Sequence, residues 1–259
     1  MGQGDVDALG LVTSLLLIGV ALAVSLGQQL RLEKQLVWAT LRAFAQLIVM
    51  GFVLAWLLEP GRSVLYSWLW VVGMVLFAAW TVRNRAPEVP GLFPIALAAL
   101  TASMVVTMGV IFGLRIFPME ARAIVPLGGM MIGNSLGSTV LAARRTADEL
   151  TDKRPEVEAR LALGYSSAQA GRPYVREAIK TALTPRIESA KAAGLVFLPG
   201  AMTGLILAGV DPIDAVLVQA AIMYLILGTA ATTSVVIGLG SVRRLFTPDH
   251  RLRRLVRKA

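Results

Sequence analysis

The sequence contains no cysteine, and its single histidine, His250, lies close to the C-terminus. The chain can therefore form no disulfide and offers no thiolate ligand to a metal. Cysteine and histidine are the usual ligands of tightly bound transition metals. The composition argues against a tight transition-metal cage in this protein.

Charged residues are also scarce, at 16% of 259 residues, whereas soluble domains usually carry about 25%. Hydrophobic residues make up 56%, and the mean hydropathy is +0.69. We therefore predict an all-α polytopic membrane protein, with residues 1–259 forming a single transmembrane domain. The N-terminal segment MGQGDVDALG is acidic and has no small-residue cleavage site, so we expect a retained first span rather than a signal peptide.

Long apolar runs fill most of the remaining sequence. A bilayer core of about 30 Å requires about 20 apolar residues in each helix. On that measure we predict about seven spans, the sixth broken at Pro199 and Gly200: about Leu9–Leu26, Val37–Leu58, Val64–Val82, Leu92–Leu114, Ala123–Ala143, Ser189–Val210 and Ala215–Leu239.

Lysine and arginine are distributed unevenly between these spans. With the N-terminus outside, the inner loops and tail hold 20 of the 25 basic residues, and the outer loops hold Arg62, Arg115 and Arg122. Because positive residues collect on the cytoplasmic side, we predict an outer N-terminus, a cytoplasmic C-terminus and a multi-pass protein of the cell inner (plasma) membrane. We expect the basic tail, about residues 241–259, to lie as a helix on anionic inner-leaflet lipids rather than to bind nucleic acid.

One stretch, from Arg144 to Pro199, is too rich in charged residues to lie in hydrocarbon. Its part from about residue 144 to residue 187 is predicted to be a cytoplasmic loop between spans five and six. Such a loop is large enough to meet a soluble partner.

Helix signals divide this loop into two short amphipathic helices. Pro155 suits the first position of a helix, and Gly164 suits a C-terminal cap. Ser166 or Ser167 can cap the second helix, and Pro185 is expected to end that helix before the membrane. We expect the two helices to lie against the cytoplasmic ends of the spans.

The first of these helices resembles the EAA-loop signature of ABC-transporter permeases. Glu158 and Ala159 are followed by Gly164, six residues after the glutamate, with Arg160 in place of the second alanine. In that family the short helix docks into a cleft on the ATPase subunit. The resemblance implies that Glu158, Ala159, Leu163 and Gly164 couple this chain to an ATPase.

A longer resemblance extends over almost the whole chain. The runs from Ile124 to Asn134, from Leu161 to Gly164 and from Ser189 to Pro212 are similar to the FetB family, membrane subunits of an ABC exporter implicated in iron export, with plant relatives linked to aluminium tolerance. The resemblance implies a permease fold, a FetA-like ATPase subunit that binds ATP and magnesium, and a homodimer of this chain. The sequence has no GxxxxGK[ST] loop, so we expect a transport subunit that is not an enzyme and binds no cofactor itself.

Polar residues and methionines in spans five and six are the candidates for a substrate pathway. Asn134 is costly in mid-span without a partner, and Pro199 frees backbone carbonyls at a similar depth. The predicted pathway residues are Met130, Met131, Asn134, Glu188, Lys191, Pro199, Met202 and Thr203.

Two features of these spans have alternative interpretations. Glu188 and Lys191 are close enough in sequence to form an ion pair, and the alternative is that Glu188 attracts a cation. Small residues at four-residue spacing favour close helix packing, and the alternative is a narrow pathway lining: Gly128, Gly129, Gly133 and Gly137.

The residues alone leave the metal ligands unknown. Glu188, Met130 and Met202 are candidates, although methionine is more often a core or lipid-facing residue. A transient carboxylate-and-carbonyl path for a hard cation, a metal chelate or a non-metal substrate fits the composition better than a tight site.

We therefore expect the permease subunit of an ABC transporter that exports iron or another metal ion. One alternative is a self-contained ion channel or ion-coupled carrier. Another is an ABC permease for a non-metal substrate such as a nucleotide sugar. An intramembrane enzyme is a third alternative, but the sequence contains no H-E-x-x-H motif.

Overall fold

Helices make up nearly all of the computed structural model, which describes residues 8–59 and 61–253, with only the backbone for residues 8–12 and 14. Within these ranges the chain has isolated bridges but no strand, which confirms the predicted all-α membrane fold. The helices are α1 (Ala8–Gly27), α2 (Glu33–Leu57), α3 (Val64–Arg85), α4 (Leu92–Gly113), α5 (Ala121–Asp152), α6 (Arg154–Ala162), α7 (Ser167–Ala192), α8 (Gly200–Leu207) and α9 (Pro212–Leu245).

Five of the described helices, α2, α3, α4, α5 and α9, are long and apolar enough to cross a membrane. The described apolar part of α1, Leu15–Gly27, is shorter. The sixth predicted span is not one helix, because α7 ends at Ala192 and α8 has only 8 residues. A helix of that length extends about 12 Å. The count of seven spans and their orientation stay predictions.

The chain divides into two units, Met1–Arg62 with Leu207–Gly209, and Ser63–Ile206 with Val210–Ala259. In the first unit, α1 packs against α2. The connection between them is held by Ser25, whose Oγ donates to Glu33 Oε1 over 2.7 Å and accepts from the Leu32 backbone N–H over 3.2 Å.

The second unit is organised around α5, which packs against α3, α7 and α9. Helix α4 packs against α3 and α9, and α6 contacts α7. Ile124, Met131 and Leu150 of α5 are fully buried, as are Leu100 of α4 and Ile237 of α9. The apolar core of this unit therefore follows the length of α5.

Small hydroxyl residues lie where the helices of the second unit touch. Thr139 of α5 and Thr233 of α9 approach within 3.0 Å at their hydroxyl oxygens. Thr107 of α4 and Thr229 of α9 do the same, and all four side chains are buried. Such residues let helices approach closely and form hydrogen bonds across the interface in an apolar environment.

Helix α7 runs antiparallel to α5. Gly171 near its start lies against Leu150 near the end of α5, and Arg186 near its end contacts Asn134. Helix α5 itself continues beyond its predicted span to Asp152. The predicted cytoplasmic loop therefore starts as an extension of α5 and returns along it.

The two helices expected in this loop are present, with one correction. Gly164 has φ +89°, as its predicted capping role requires, and Ser166 forms a capping box with Gln169. The expectation that Pro185 ends the second helix is wrong, because α7 continues to Ala192 through Pro173 and Pro185. An internal proline costs about 3 kcal/mol, and the packing of α7 along α5 and α9 offsets that cost.

The C-terminal tail differs from the expected surface helix. Helix α9 ends at Leu245, and Phe246 and Leu252 form an isolated antiparallel bridge in which both side chains are buried. Arg154 Nη2 donates to the Leu252 carbonyl over 2.6 Å, and the Ser167 hydroxyl bonds to His250 Nδ1. Residues 246–253 are therefore attached to α6 and α7, and the predicted tail residues 254–259 lie outside the described residues.

Candidate functional site

A cavity of about 310 Å³ lies between α5, α7, α9 and the turn that precedes α8. Helix α5 contributes Met130 and Asn134, and α7 contributes Arg186. Pro199 lines the cavity from the turn, and Gln219 lines it from α9. We refer to this space as the α5–α7–α9 cavity.

The most polar contact in the cavity joins Arg186 to Asn134. Arg186 Nη1 donates to Asn134 Oδ1 over 3.0 Å, and Asn134 Nδ2 donates to the Met130 carbonyl over 2.8 Å. The amide of Asn134 therefore accepts from one neighbour and donates to the other, which fixes its orientation. A Cβ at Gly137 would lie 3.8 Å from Arg186 Nη2, so the guanidinium lies beside this glycine.

The continuation of α7 past Pro185 is what brings Arg186 to this position. A helix that ended at Pro185 would leave Arg186 in the following turn rather than beside α5. The side chain of Arg186 is half-buried, and its partner Asn134 lies within the predicted fifth span. The structure thus places one permanent positive charge, since arginine stays protonated in proteins, next to the amide of Asn134.

No carboxylate among the described residues balances this charge. The described side chains that line the cavity include no aspartate or glutamate, and none of the ion pairs between described residues includes Arg186. The cavity therefore has a net positive lining, with the amides of Asn134 and Gln219 as its other strong dipoles.

Gln219 is, with Arg186, a polar residue of the cavity lining that the sequence patterns do not predict. It is only 7% exposed, and its Oε1 accepts from the Met202 backbone N–H over 3.2 Å. The first N–H groups of a helix have no partner within the helix, so Gln219 attaches the start of α8 to α9. A lone amide within an apolar run was the signal that could have identified it.

The structure brings together only part of the predicted pathway set. Met130, Asn134 and Pro199 line the α5–α7–α9 cavity. Met131 is fully buried in the core. Met202 contributes its backbone N–H to Gln219, and Thr203 is exposed, with its hydroxyl donating to the Pro199 carbonyl over 3.3 Å.

Glu188 and Lys191 lie outside this lining. Their side chains are exposed and form an ion pair at 2.9 Å, which is the first of the two arrangements that the sequence allowed. Of the three candidate metal ligands, Met130 alone lines the cavity. In the part of the chain that the structure describes, no three His, Asp or Glu side chains are grouped so that they could hold a metal ion.

Residues Gly133 to Gly137 fit the G-x-S-x-G pattern, which bears on the enzyme alternative. In hydrolases that pattern places the serine on a sharp turn between a strand and a helix. Here it lies within α5, and Ser135 is fully buried and donates to the Ile132 carbonyl over 3.0 Å. The motif is a helix-packing segment, and Ser135 is not presented as a nucleophile.

The predicted coupling residues form an exposed surface around α6. Glu158 is half-exposed and pairs with Arg154 at 2.6 Å, and Ala159 is exposed. Leu163 is 78% exposed and is followed by the Gly164 turn. We call Glu158, Ala159, Leu163 and Gly164 the α6 surface.

Helix α6 is attached to α7 from its opposite side. Val157 is fully buried, and the Tyr174 hydroxyl donates to Glu156 Oε2 over 3.0 Å. This hydrogen bond, followed by that from Lys153, lowers the pKa of Glu156. Burial, followed by the same contact with Glu156, raises the pKa of Tyr174. At neutral pH the pair is therefore a phenol bonded to a carboxylate.

Three relatives cover most of this chain. The UPF0014 membrane protein STAR2 of Oryza sativa subsp. japonica is 37% identical over 224 residues, which are 86% of this chain and 78% of that protein. The UPF0014 membrane protein YjkA of Bacillus subtilis (strain 168) is 36% identical, with 95% and 98% coverage. The protein named "Probable iron export permease protein FetB" of Escherichia coli (strain K12) is 29% identical, with 97% coverage of both chains.

No solved structure matches the chain. The family described as "Uncharacterised protein family (UPF0014)" matches residues 8–246. That match covers more than nine-tenths of the sequence and includes the cavity and the α6 surface. The chain, a multi-pass helical membrane protein, belongs to the UPF0014 family.

Proposed function

We propose that this chain is the membrane-spanning permease subunit of an ABC transporter that exports iron or another metal. A separate FetA-like subunit hydrolyses ATP, and two copies of the permease form the complex. The name of the Escherichia coli relative, an iron export permease, supports the cargo and the direction of transport. The basic tail is proposed to contact anionic lipids.

The α6 surface is the observation that carries this proposal. Leu163 of this surface and the nearby Tyr165 are both exposed, in the turn that follows the short helix α6. Exposed apolar patches are typical of a contact with a partner, and we propose that the ATPase covers Leu163 and Tyr165 together. Because α6 packs against α7 and Tyr174 donates to Glu156, a partner that binds this surface is expected to move α7 with it.

The α5–α7–α9 cavity is proposed as part of the transport pathway. Its lining combines the predicted residues Met130, Asn134 and Pro199 with Arg186 and Gln219. Helix α7 links the two sites, since the same helix carries Tyr174 at the α6 attachment and Arg186 at the cavity. This continuity offers a physical route from ATPase binding to the pathway.

Co-purification tests the proposed coupling. The tagged chain and a FetA-like ATPase are expressed together, and ATPase recovery and ATP turnover are measured for native chain, Leu163→Ser and Arg172→Ala. Leu163→Ser should lose the ATPase and remain inserted, because its side chain is exposed. Arg172, which is exposed on α7 and is not one of the residues of the α6 surface, is the control and should behave as native. Native ATPase recovery with Leu163→Ser would contradict the proposal.

A self-contained carrier is the second candidate, and Arg186 is the observation that favours it. Such a carrier needs ionisable groups at membrane depth, and Arg186 lies beside Asn134 of the predicted fifth span. An arginine does not release its proton at physiological pH, however, so it cannot by itself couple transport to protons. Transport by vesicles that contain the chain without any ATPase would decide for the carrier.

A further inference from the structure

The charge of the α5–α7–α9 cavity determines the form in which a cargo can enter it. We infer that the cargo is bound there as an anion, with Arg186 as its binding residue, and that a metal enters only as a negatively charged complex with carboxylate or phosphate ligands. This inference rests on the proposed transport function. It concerns the chemical class of the substrate and not the coupling to ATP.

The donor geometry of Arg186 favours an anion as its ligand. A guanidinium has five N–H donors in a planar fork, and Asn134 accepts from Nη1. The guanidinium lies beside Gly137, which itself has no side chain to cover it. Carboxylates and phosphates match the fork of an arginine with two parallel hydrogen bonds, so the remaining donors suit an oxyanion.

The described lining of the cavity lacks the carboxylates that a bare cation would need. Hard divalent cations exchange their water for carboxylate and carbonyl oxygens, and no described carboxylate lines this space. The nearest acidic residue on the same helix, Glu188, is exposed and paired with Lys191 at 2.9 Å. A free metal ion would therefore meet a like charge at Arg186 without a compensating ligand.

The size of the cavity also suits a small anion. A volume of about 310 Å³ is near the lower end of the range of small-molecule sites, about 300 to 1,000 Å³. This volume suits a small organic anion, such as a tricarboxylate or a phosphate ester. Met130, Met223 and Pro199 are among the residues that give the rest of the lining its apolar surface, as is usual around a few fixed polar groups.

Binding to the purified chain tests the inference without any ATPase. Citrate, ferric citrate, inorganic phosphate and ferrous chloride are titrated into the native chain in detergent, and the heat of binding is measured. Citrate or its ferric complex should bind, and ferrous ion alone should not. Arg186→Gln should weaken anion binding about tenfold or more, as expected for the loss of one charged hydrogen-bonding pair.

Two further variants complete the binding test. Arg186→Lys keeps the charge but not the fork, so it should retain part of the affinity even if Arg186→Gln does not fold. Lys180→Gln removes an exposed charge from the same helix, where Lys180 pairs with Glu177, and should bind as native. Ferrous ion that binds as well as ferric citrate, or anion binding unchanged in both Arg186 variants, would overturn the inference.

Transport separates this inference from the proposed function. In vesicles with the ATPase, ATP should drive transport of iron supplied as ferric citrate, and Arg186→Gln should reduce it. ATP-driven transport of ferrous ion that is unaffected by Arg186→Gln overturns the inference and leaves the proposed function intact. Anion binding that depends on Arg186, in a chain that no ATPase can drive, supports the inference and contradicts the proposed function.

Discussion

Arg186 and Asn134 lie 52 residues apart in the sequence, and the Nη1 of the arginine donates to the Oδ1 of the asparagine over 3.0 Å. The contact joins the end of α7 to the middle of α5. Near its start, α7 is bonded to α6 through Tyr174 and Glu156. The distance along the helix from Tyr174 to Arg186 is about 18 Å, so one helix connects the exposed α6 surface to the cavity.

Asn134→Asp should neutralise the cavity at nearly the same side-chain volume, although it replaces the donor to the Met130 carbonyl with an acceptor. The new carboxylate would lie about 3 Å from Arg186 and pair with it, because opposite charges at hydrogen-bond distance attract strongly away from water. We expect anion binding to fall about tenfold or more, while the melting temperature of the detergent-solubilised chain stays near the native value because the new ion pair offsets the lost hydrogen bond to Met130. Calorimetric titration with citrate measures the first effect, and a thermal unfolding scan measures the second.

Asn134→Leu is the matched comparison for that prediction. It removes the partner of Arg186 but adds no negative charge, so the anion site should keep more affinity than in Asn134→Asp. Equal loss in the two variants would show that Asn134 acts by positioning alone. Native affinity in Asn134→Asp would contradict a charge-based site.

Local signals predicted the turn of the cytoplasmic segment but not its extent. The capping roles of Gly164 and Ser166 depend on a few neighbouring residues, and both are present. Pro185 is also a local signal, yet α7 continues past it because packing against α5 and α9 is decided by residues distant in sequence. Arg186 lies at the cavity only because α7 continues past Pro185. The local sequence therefore does not predict it as a site residue.

The candidate site shows the same division. Asn134 is a predicted pathway residue because an amide in an apolar span needs a partner, but no local pattern in the sequence identifies Arg186 as that partner. Met130 and Met131 are adjacent in the sequence, and only their positions on α5 separate a cavity-lining side chain from a buried one. Glu188 is a predicted pathway residue because of its charge. In the structure it pairs with Lys191 and does not line the cavity.

Two glycines of α5 should respond in opposite ways to alanine. A Cβ at Gly128 would lie 3.0 Å from Val71 Cγ2, whereas a Cβ at Gly133 would meet nothing within 4 Å among the described residues. Gly128→Ala should destabilise the chain by roughly 1 kcal/mol through overpacking. Gly133→Ala should be neutral or stabilise it by up to about 1 kcal/mol, because alanine favours helix.

Denaturant unfolding of the two alanine variants in detergent measures these effects. The comparison is internal, since both substitutions add one methyl group to the same helix. Equal destabilisation by the two would show that close packing extends along all of α5. Loss of transport in Gly133→Ala at native stability would instead assign this glycine to the pathway.

The attachment of α6 to α7 should depend on pH through Glu156 and Tyr174. The pKa of Glu156 is lowered, so its contribution to stability is present above the unfolded value near 4.5 and is lost as the pH falls through the folded value. The pKa of Tyr174 is raised, so its contribution is present below 10.0 and is lost as the pH rises through the folded value. We expect firm attachment from about pH 5 to pH 10 and loosening at both extremes.

A single cysteine at the buried position Val157 reports this attachment, because the native chain has no cysteine. Its reaction with dithiodipyridine is divided by that of a single cysteine at the exposed Ala159, which removes the intrinsic pH dependence of the thiol. The ratio should be lowest near neutral pH and should rise in acid. In a Tyr174→Phe background it should be higher at neutral pH and less dependent on acid, and an identical profile in both backgrounds would contradict the role of this hydrogen bond.

Gly164→Val should separate ATPase coupling from membrane insertion. The φ of Gly164 is +89°, a conformation that costs a residue with a Cβ about 1 to 2 kcal/mol and a β-branched residue more. No atom of the described residues lies within 4 Å of a Cβ there, so the effect is strain in the turn and not a clash. The turn would relax towards a negative φ and tilt α6, and Leu163 would leave its position on the α6 surface.

Gly61→Val is the matched control for this prediction, because Gly61 has φ +88° and equally open surroundings but lies outside the α6 surface. Both variants should insert in the membrane with similar losses of stability. Only Gly164→Val should lose ATPase co-purification or substrate-stimulated ATP turnover, and Glu158→Ala should show a milder loss, since its half-exposed carboxylate holds Arg154 at 2.6 Å. If Gly164→Val and Gly61→Val retain the ATPase equally well, α6 is an ordinary solvated helix and the coupling surface lies elsewhere.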